Sequence, residues 1–171
     1  MTLAILSALP EEQHGLLDLL HAPVCVRHAG RDFWQGTWHG PPVVLALAGI
    51  GKVAAATTAS ALIERFGATR IVFTGVAGGV GDGVNVGDVV VARSYVQHDM
   101  DASPLFARWL VPGYADICLP CDSELSALLS GAASAYLASV SGLFDINSGT
   151  TAPRLHHGLM ASGDRFINCP E

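Results

Sequence analysis

Two adjacent carboxylates near the start of the chain, Glu11 and Glu12, have the residue type that accepts or donates a proton in catalysis. They follow Pro10, which is common in the first turn of a helix because its φ is fixed and it needs no N–H partner there. Acidic residues in a first turn are favoured by the helix dipole, so one interpretation is that they start a helix. The other is a carboxylate held at the carboxyl end of a strand, facing a ligand crevice. The sequence leaves both open.

A glycine cluster follows an apolar run rich in β-branched residues at 71–73 and holds five glycines between positions 75 and 83. The run is typical of a buried strand, and in open α/β sheets ligands bind at the carboxyl ends of strands. Because ordering glycine costs much conformational entropy, the cluster predicts backbone that passes very near another group or takes positive φ. A plain glycine-rich turn is the alternative, since a lone glycine motif is a weak signal.

Nucleotide-binding motifs are incomplete in this sequence. The segment 49–52 resembles a phosphate-binding loop, but a Walker A motif would need glycine in place of Ala46 and serine or threonine in place of Val53. The 75–83 cluster does not fit G-x-G-x-x-G either, so no dinucleotide site is predicted. Nucleotide hydrolysis is therefore disfavoured.

The cysteines are few. Four of them, at positions 25, 118, 121 and 169, cannot form a disulfide scaffold in a chain of 171 residues, which favours a reducing cytoplasm. Cys118 and Cys121 have the C-x-x-C spacing of redox and zinc sites, but no second pair and no histidine at ligand spacing accompanies them. A metal site is therefore disfavoured.

Composition narrows the class of protein. Hydrophobic residues make up 50% and charged residues 14%, which indicates a compact globular protein with a large interior or a buried oligomer face. The net charge is -6, with a single lysine and eight arginines, so a basic surface for nucleic acid is not expected. The first apolar run has no basic segment before it and turns acidic after Pro10, so neither a signal peptide nor a membrane span is predicted.

Strands and helices alternate along the chain and predict one α/β domain over 1–171. Strands are predicted at 2–8, 24–28, 32–39, 42–47, 69–74, 86–97 and 155–162, and helices from Pro10 through the leucines at 16–20, at 53–66 and at 122–137 with Asp122 as cap. The strands between 24 and 47 read as an antiparallel meander. A long irregular stretch follows His98, and its aromatic content indicates a partner surface.

Four blocks in this order are more specific than any one of them: Ile5–Glu12, Gly49–Val53, Thr74–Gly79 with Gly87-Asp88, and Ser162–Asn168. Together they resemble the 5′-methylthioadenosine/S-adenosylhomocysteine nucleosidases of the purine nucleoside phosphorylase-like superfamily. The resemblance covers essentially the whole chain, although 102–157 matches weakly. It implies a central twisted mixed β-sheet flanked by helices, in a cytoplasmic homodimer. It also implies hydrolysis of an N-glycosidic bond in methionine salvage, releasing adenine and a thio-ribose without metal or cofactor.

The same resemblance implies roles for individual residues. Glu12 would orient and deprotonate the attacking water. The nucleoside site would be formed by Leu9 and Ile50, by Ala77 and Gly78 beneath the base and ribose, by Phe166 stacked on adenine, and by the backbone of Ile167 at the adenine edge. A loop at 98–112 would cross to the other subunit, where Ala102, Leu105 or Phe106, and Pro112 would wall the 5′-alkylthio pocket. Without the resemblance, Phe166 would be assigned to core packing.

Two positions in the glycine block differ from the related phosphorylases. Those enzymes bind phosphate with an arginine and a serine or threonine, where this chain has Phe73 and Val76. The resemblance therefore favours water over phosphate as the nucleophile. The hydrolases often have serine where Val76 stands, and its hydroxyl supports the catalytic acid.

Two family motifs are not found in these 171 residues. One is a Glu-Met-Glu-type stretch that binds the ribose hydroxyls, and the other is a Ser-Asp pair whose aspartate is the acid. Asp164 matches a different family aspartate. The expectation is an incomplete, N-terminal portion of the family's domain with little or no activity alone. The alternatives are hydrolysis of futalosine, phosphorolysis of a purine nucleoside, or a nucleoside-binding remnant without catalysis.

Overall fold

The fold is that of a computed structural model, which describes residues 1–140, 152–165 and 167. The chain divides into two compact units, Met1–Ala77 and Gly78–Glu171.

The first unit is built on a five-stranded mixed sheet. Its elements are β1 (Thr2–Ser7), α1 (Pro10–Gln13), a 3-10 turn (Leu17–Leu19), β2 (His21–His28), β3 (Arg31–Thr37), β4 (Pro42–Leu47), α2 (Lys52–Glu64) and β5 (Ala68–Phe73). The strand order is β2-β3-β4-β1-β5. β1 runs parallel to β4 and β5, while β2, β3 and β4 form the predicted antiparallel meander, which is confirmed.

The core of this unit covers both faces of β1. One cluster consists of Ala4, Leu6, Phe33, Val44, Ala46, Ala48, Leu62 and Ala68, and the other of Ile5, Leu20, Val43 and Leu45. Successive side chains of a strand point to opposite faces, so Leu6 and Ile5 belong to different clusters. Because β1 is buried on both sides and paired on both edges, its carboxyl end is held firmly beside the ends of β4 and β5.

The first helix is much shorter than predicted. α1 ends at Gln13, and Gly15 follows with φ at +80°, a conformation that no α-helical residue has. The chain then forms the 3-10 turn and buries Leu20 against the sheet. The prediction of a helix through 16–20 was wrong because Leu16, Leu17 and Leu20 pack against the core from a turn, while Leu19 stays exposed.

The second unit holds β6 (Val89–Gln97), β7 (Leu119–Pro120), α3 (Ser123–Val140) and β8 (Leu155–Ser162). Its sheet has the order β7-β6-β8, with β6 and β8 parallel. The backbone N–H of Leu125 donates to the Asp122 carboxylate at 2.7 Å, so Asp122 caps α3 as predicted. The predicted strand at 86–97 begins later, at Val89.

Asp88 fastens the start of β8 to the segment before β6. Its Oδ1 accepts the backbone N–H of Arg154 at 2.8 Å, and its Oδ2 accepts that of Asn85 at 2.9 Å and lies 2.7 Å from His156 Nε2. The side chain is only 3% exposed. The hydrogen bonds from Asn85, Arg154 and His156 lower the pKa of Asp88 to about 2. The ionised Asp88 carboxylate therefore joins the start of β8 to the segment before β6.

Replacing Asp88 with asparagine is expected to lower the melting temperature at neutral pH, because a neutral amide replaces a charged acceptor of several donors. The folded-state pKa lies below the unfolded value, so the stabilisation is present above about pH 4 and is lost as the pH falls toward 2. Circular dichroism melts should be recorded from pH 7 to pH 2. The difference in melting temperature between the variant and wild type should narrow as the pH falls from about 4 toward 2. Asp18→Asn, at an exposed position, is the control. A gap that stays constant to pH 2 would contradict the assignment.

The described residues contain neither a candidate membrane span nor a candidate metal cluster. No helix placed there is long and apolar enough to cross a bilayer. Within the same residues, no group of three or more histidine, cysteine, aspartate and glutamate side chains could hold a metal ion, and Cys25, Cys118 and Cys121 are free thiols.

Candidate active site

Glu12 lies just beyond the carboxyl end of β1, within α1. Its Oε2 accepts hydrogen bonds from the backbone N–H groups of Ala8 and Leu9, each at 2.9 Å. Its Oε1 accepts the backbone N–H of Val76 at 3.0 Å. Helix-start chemistry accounts for the two bonds at Oε2 but not for the third, which comes from the segment after β5. Glu12 therefore combines a place in a first helical turn with a place at the carboxyl end of a strand, beside the glycine segment. That it faces a ligand crevice stays a prediction.

The electrostatic setting keeps Glu12 ionised. Partial burial raises the pKa of its carboxyl group, but the hydrogen bonds from Val76, Leu9 and Ala8 together outweigh burial and lower the pKa below its usual value. The group is therefore a carboxylate throughout the neutral range. It can accept a proton but has none to donate.

A pair of hydroxyls ties β1 to β5 directly beside this carboxylate. Ser7 Oγ and Thr74 Oγ1 lie 2.9 Å apart, and the Ser7 side chain is fully buried. The backbone N–H of Thr74 donates to the Leu6 carbonyl at 2.9 Å, and that of Ala48 donates to the Ser7 carbonyl at 2.8 Å. The ends of β1, β4 and β5 are thus joined, which fixes the spacing of the amides that hold Glu12. Both residues lie in blocks that carry the family resemblance, but no sequence pattern predicted that they pair.

Gly75 is where the glycine cluster makes its close approach in the first unit. A Cβ atom at this position would lie 2.7 Å from Glu12 Oε1 and 3.0 Å from its Cδ. The φ of Gly75 is not in the left-handed region, so the requirement is for space. The prediction that the cluster passes very near another group is confirmed here.

The other predicted residues of the first unit lie at the same edge of the sheet. Leu9 bonds directly to Glu12 through its N–H. Ile50 follows β4 and is 79% exposed, and Ala77 directly follows Val76. Because β1, β4 and β5 are parallel, the segments that leave them emerge together. The ligand contacts of Leu9, Ile50 and Ala77 stay predictions.

Gly78, Phe166 and Ile167, three of the residues predicted to contact the base, belong to the second unit. Gly78 opens that unit, and a Cβ added to it would meet nothing within 4 Å. Ile167 follows β8 and is exposed, whereas Phe166 lies outside the described residues. Their roles at the base stay predictions.

The 98–112 loop has the exposed apolar character expected of a partner surface. The Ala102 carbonyl accepts the backbone N–H groups of Leu105 and Phe106 at 3.1 and 3.2 Å, which forms a tight turn. Leu105 is 84% exposed, and Phe106 and Pro112 are exposed as well. Contact of these four residues with a second subunit stays a prediction.

A groove of about 290 Å³ lies beside the hairpin of β2 and β3. It is lined by Gln13, Arg27, Gly30, Arg31, Asp32, Trp34 and Leu47. Neither Glu12 nor any other predicted site residue lines it. We therefore assign no substrate to this groove.

Residues 2–171 match the sequence profile of a family described as the Phosphorylase superfamily. The chain belongs to the phosphorylase superfamily. Glu12 lies just beyond the carboxyl end of β1 in the mixed sheet, so this sheet is the part of the fold that positions the candidate site.

Known members of the superfamily resemble the chain over its whole length. The 5′-methylthioadenosine/S-adenosylhomocysteine nucleosidase of Hydrogenovibrio crunogenus is 33% identical over 172 residues, covering 100% of this chain and 68% of that protein. The aminodeoxyfutalosine nucleosidase of Campylobacter jejuni has the same identity and coverage. A crystal structure of the Colwellia psychrerythraea methylthioadenosine/S-adenosylhomocysteine nucleosidase in complex with adenine superposes with a TM-score of 0.80 at 30% identity, covering 98% of this chain and 64% of that one.

These similarities confirm the family resemblance and the α/β fold with a mixed sheet and flanking helices. The chain spans about two thirds of the length of these relatives.

Proposed function

We propose that this member of the phosphorylase superfamily hydrolyses the N-glycosidic bond of 5′-methylthioadenosine and S-adenosylhomocysteine, releasing adenine and a thio-ribose. Its relatives are named for nucleosidase activity. The observation that carries the proposal is the Glu12 carboxylate, which Ala8, Leu9 and Val76 hold ionised at the carboxyl edge of the sheet.

The hydrogen bonds of Glu12 support Oε1 as the atom that would act as base. A carboxylate has about four acceptor sites, two on each oxygen. At Oε2 both are taken by the N–H groups of Ala8 and Leu9. Among the described residues, Oε1 accepts the N–H of Val76 and no other donor. One acceptor site at Oε1 is therefore available for water. We place the attacking water there, so that its proton passes to Oε1 as its oxygen bonds to the anomeric carbon.

Cleavage of a glycosidic bond passes through an oxocarbenium-like state, which needs a base for water on one face and an acid for the leaving group on the other. Glu12 would supply the base. For adenine, the acid must protonate a ring nitrogen. We assign no residue of the described chain to that step.

Water is proposed as the nucleophile because the glycine block lacks the side chains that bind phosphate in the phosphorylases. Phe73 offers no charge where the phosphorylases have arginine, and Val76 offers no hydroxyl. The backbone N–H of Val76, which could otherwise meet an anion, donates to Glu12. A phosphate beside this carboxylate would also be repelled by its charge.

Adenine release from methylthioadenosine, with and without phosphate, tests the reaction type. With enzyme in excess over substrate, chromatography detects even a slow single turnover. Hydrolysis predicts the same rate in both buffers and free thio-ribose as product. A rate that depends on phosphate, with a ribose 1-phosphate product, would indicate a phosphorylase.

Aminodeoxyfutalosine is a second candidate substrate, because the Campylobacter relative that bears this activity in its name is as similar as the methylthioadenosine relative. Parallel assays with both nucleosides decide between them. Saturable binding of adenine in calorimetry without turnover of either nucleoside would instead favour the non-catalytic alternative.

A homodimer in the cytoplasm, acting in methionine salvage, is the proposed setting. The exposed apolar side chains of Leu105 and Phe106 support a partner surface on the 98–112 loop. The mass of one chain is 17.8 kDa, and sedimentation equilibrium should give twice that value. Replacing Leu105 with aspartate should return the mass to that of one chain.

Replacing Gly75 with alanine is expected to slow adenine release by up to about 100-fold, since a small displacement of a catalytic group has effects of this size. The new methyl group would occupy the space of Glu12 Oε1 and push the carboxylate away from Val76. Single-turnover assays measure the loss. Gly131→Ala is the matched control, because a Cβ there meets nothing within 4 Å. Equal rates for the two variants would show that the close approach has no catalytic role.

A further inference from the structure

The end of β8 is held by the residues that follow β6. The last pair in the parallel ladder joins Gln97 to Ser162. Directly beyond it, the backbone N–H of His98 donates to the Ser162 carbonyl at 3.0 Å. The backbone N–H of Asp164 then donates to Asp99 Oδ2 at 2.7 Å. The Asp99 side chain thus binds the backbone of Asp164 just beyond the last pair of the strand ladder.

Gly163 makes this attachment possible. A Cβ atom at this position would lie 2.9 Å from both Cγ and Oδ2 of Asp99 and would overlap His98 Nε2. Such contacts are shorter than real Cβ atoms show, and the Asp99 carboxylate cannot retreat without losing its bond to Asp164. The backbone after β8 therefore lies directly against His98 and Asp99.

The same two residues begin the 98–112 loop, and Trp109 closes that loop onto them. The Trp109 indole Nε1–H donates to the His98 carbonyl at 3.0 Å, and its backbone N–H donates to the Met100 carbonyl at 2.9 Å. The Arg108 guanidinium lies 5.2 Å from the centre of the Trp109 ring. His98 to Met100 are therefore fixed by the loop on one side and by the end of β8 on the other.

From these contacts we infer that Asp99 is a positioning residue, which sets the turn at Gly163–Asp164 and links it to the 98–112 loop. This inference rests on the proposed function and on the family resemblance, which implies that Phe166 and Ile167, just after that turn, bind adenine. Asp99 acts through the backbone of Asp164. A charged acceptor binds an N–H about twice as strongly as a neutral one, so the carboxylate holds the turn better than an amide would.

Three variants test the inference in the full 171-residue chain. Asp99→Ala removes the acceptor, and Asp99→Asn keeps a neutral one. Gly163→Ala pushes Asp99 away from the other side. Asp101→Asn is the matched control, because this aspartate lies in the same loop and its carboxylate accepts from the Ser103 backbone N–H and hydroxyl, within its own turn.

Two measurements are made on each variant. Amide hydrogen exchange at Asp164 needs no ligand and should quicken by about tenfold or more in Asp99→Ala and Gly163→Ala, since the amide loses its acceptor. The dissociation constant for adenine, from calorimetry, should rise by roughly 10- to 100-fold in the same variants. For Asp99→Asn, the exchange rate at Asp164 and the dissociation constant for adenine should both lie between those of wild type and those of the two alanine variants. For Asp101→Asn, both values should match wild type.

The outcomes separate this inference from the proposed function. Unchanged exchange at Asp164 in Asp99→Ala would overturn the attachment itself. Faster exchange with unchanged adenine binding would overturn the positioning role and leave Asp99 a purely structural residue. If wild type does not bind adenine, the proposed function fails, and so does the inference that Asp99 positions the adenine-binding residues. The exchange comparison would still decide whether Asp99 holds the turn.

Discussion

Replacing Glu12 with glutamine is expected to slow adenine release by about 10²- to 10⁴-fold, the range over which a general base contributes. Glutamine has nearly the same size but cannot take a proton from water. Its amide nitrogen would also face backbone N–H groups, because donors surround both carboxylate oxygens. Single-turnover release of adenine from methylthioadenosine measures the effect. Binding of adenine should change only a few-fold, since the variant removes a step in the chemistry.

Glu11→Gln is the matched control for this prediction. Glu11 is the adjacent residue, is exposed, and undergoes the same chemical change. It should leave the rate of adenine release near that of wild type. If Glu12→Gln and Glu11→Gln released adenine at the same rate, Glu12 would not be the base, and its bonds would be those of a helix start alone.

Replacing Phe33 with alanine is expected to lower the free energy of unfolding by about 3–5 kcal/mol, the usual cost of removing a fully buried aromatic side chain. Phe33 lies on β3 with 0% of its surface exposed. Its ring stacks on that of Phe66, with centroids 4.4 Å apart, so the change also removes an aromatic pair. Urea titration of both proteins measures the difference.

Phe73→Ala is the control for that change. Phe73 ends β5 in the same sheet, but 52% of its surface is exposed, so the identical truncation removes far less buried area. We expect it to cost clearly less than Phe33→Ala. Equal losses would mean that the cavity left in the core is closed by relaxation around Phe33.

Much of the fold follows from local patterns. The continuous apolar run at 42–47 and the turn residues before it predict the meander, because each signal is contained in a few neighbouring residues. The cap of α3 is also local, since Asp122 and the N–H of Leu125 lie three residues apart. The glycines of the 75–83 cluster predict that the backbone passes close to another group, because a residue with a Cβ atom seldom fits such a position.

The same local signals failed where tertiary packing decided the outcome. The leucines at 16–20 have helical spacing, yet Gly15 ends the helix and Leu20 packs into the core from a turn. Burial against the sheet outweighs helix propensity over so short a segment. The sequence contains no measure of that balance.

The chemistry of the site divides in the same way. From the sequence alone, Glu12 could be identified as one of two candidate carboxylates near a strand end, and the four-block resemblance assigned it the role of base. That it bonds to the N–H of Val76, 64 residues away, depends on the parallel register of β1 and β5. The bonds between Ser7 and Thr74 and between Asp99 and Asp164 join residues 67 and 65 positions apart. Such pairs are set by which strands become neighbours, and no local pattern specifies that.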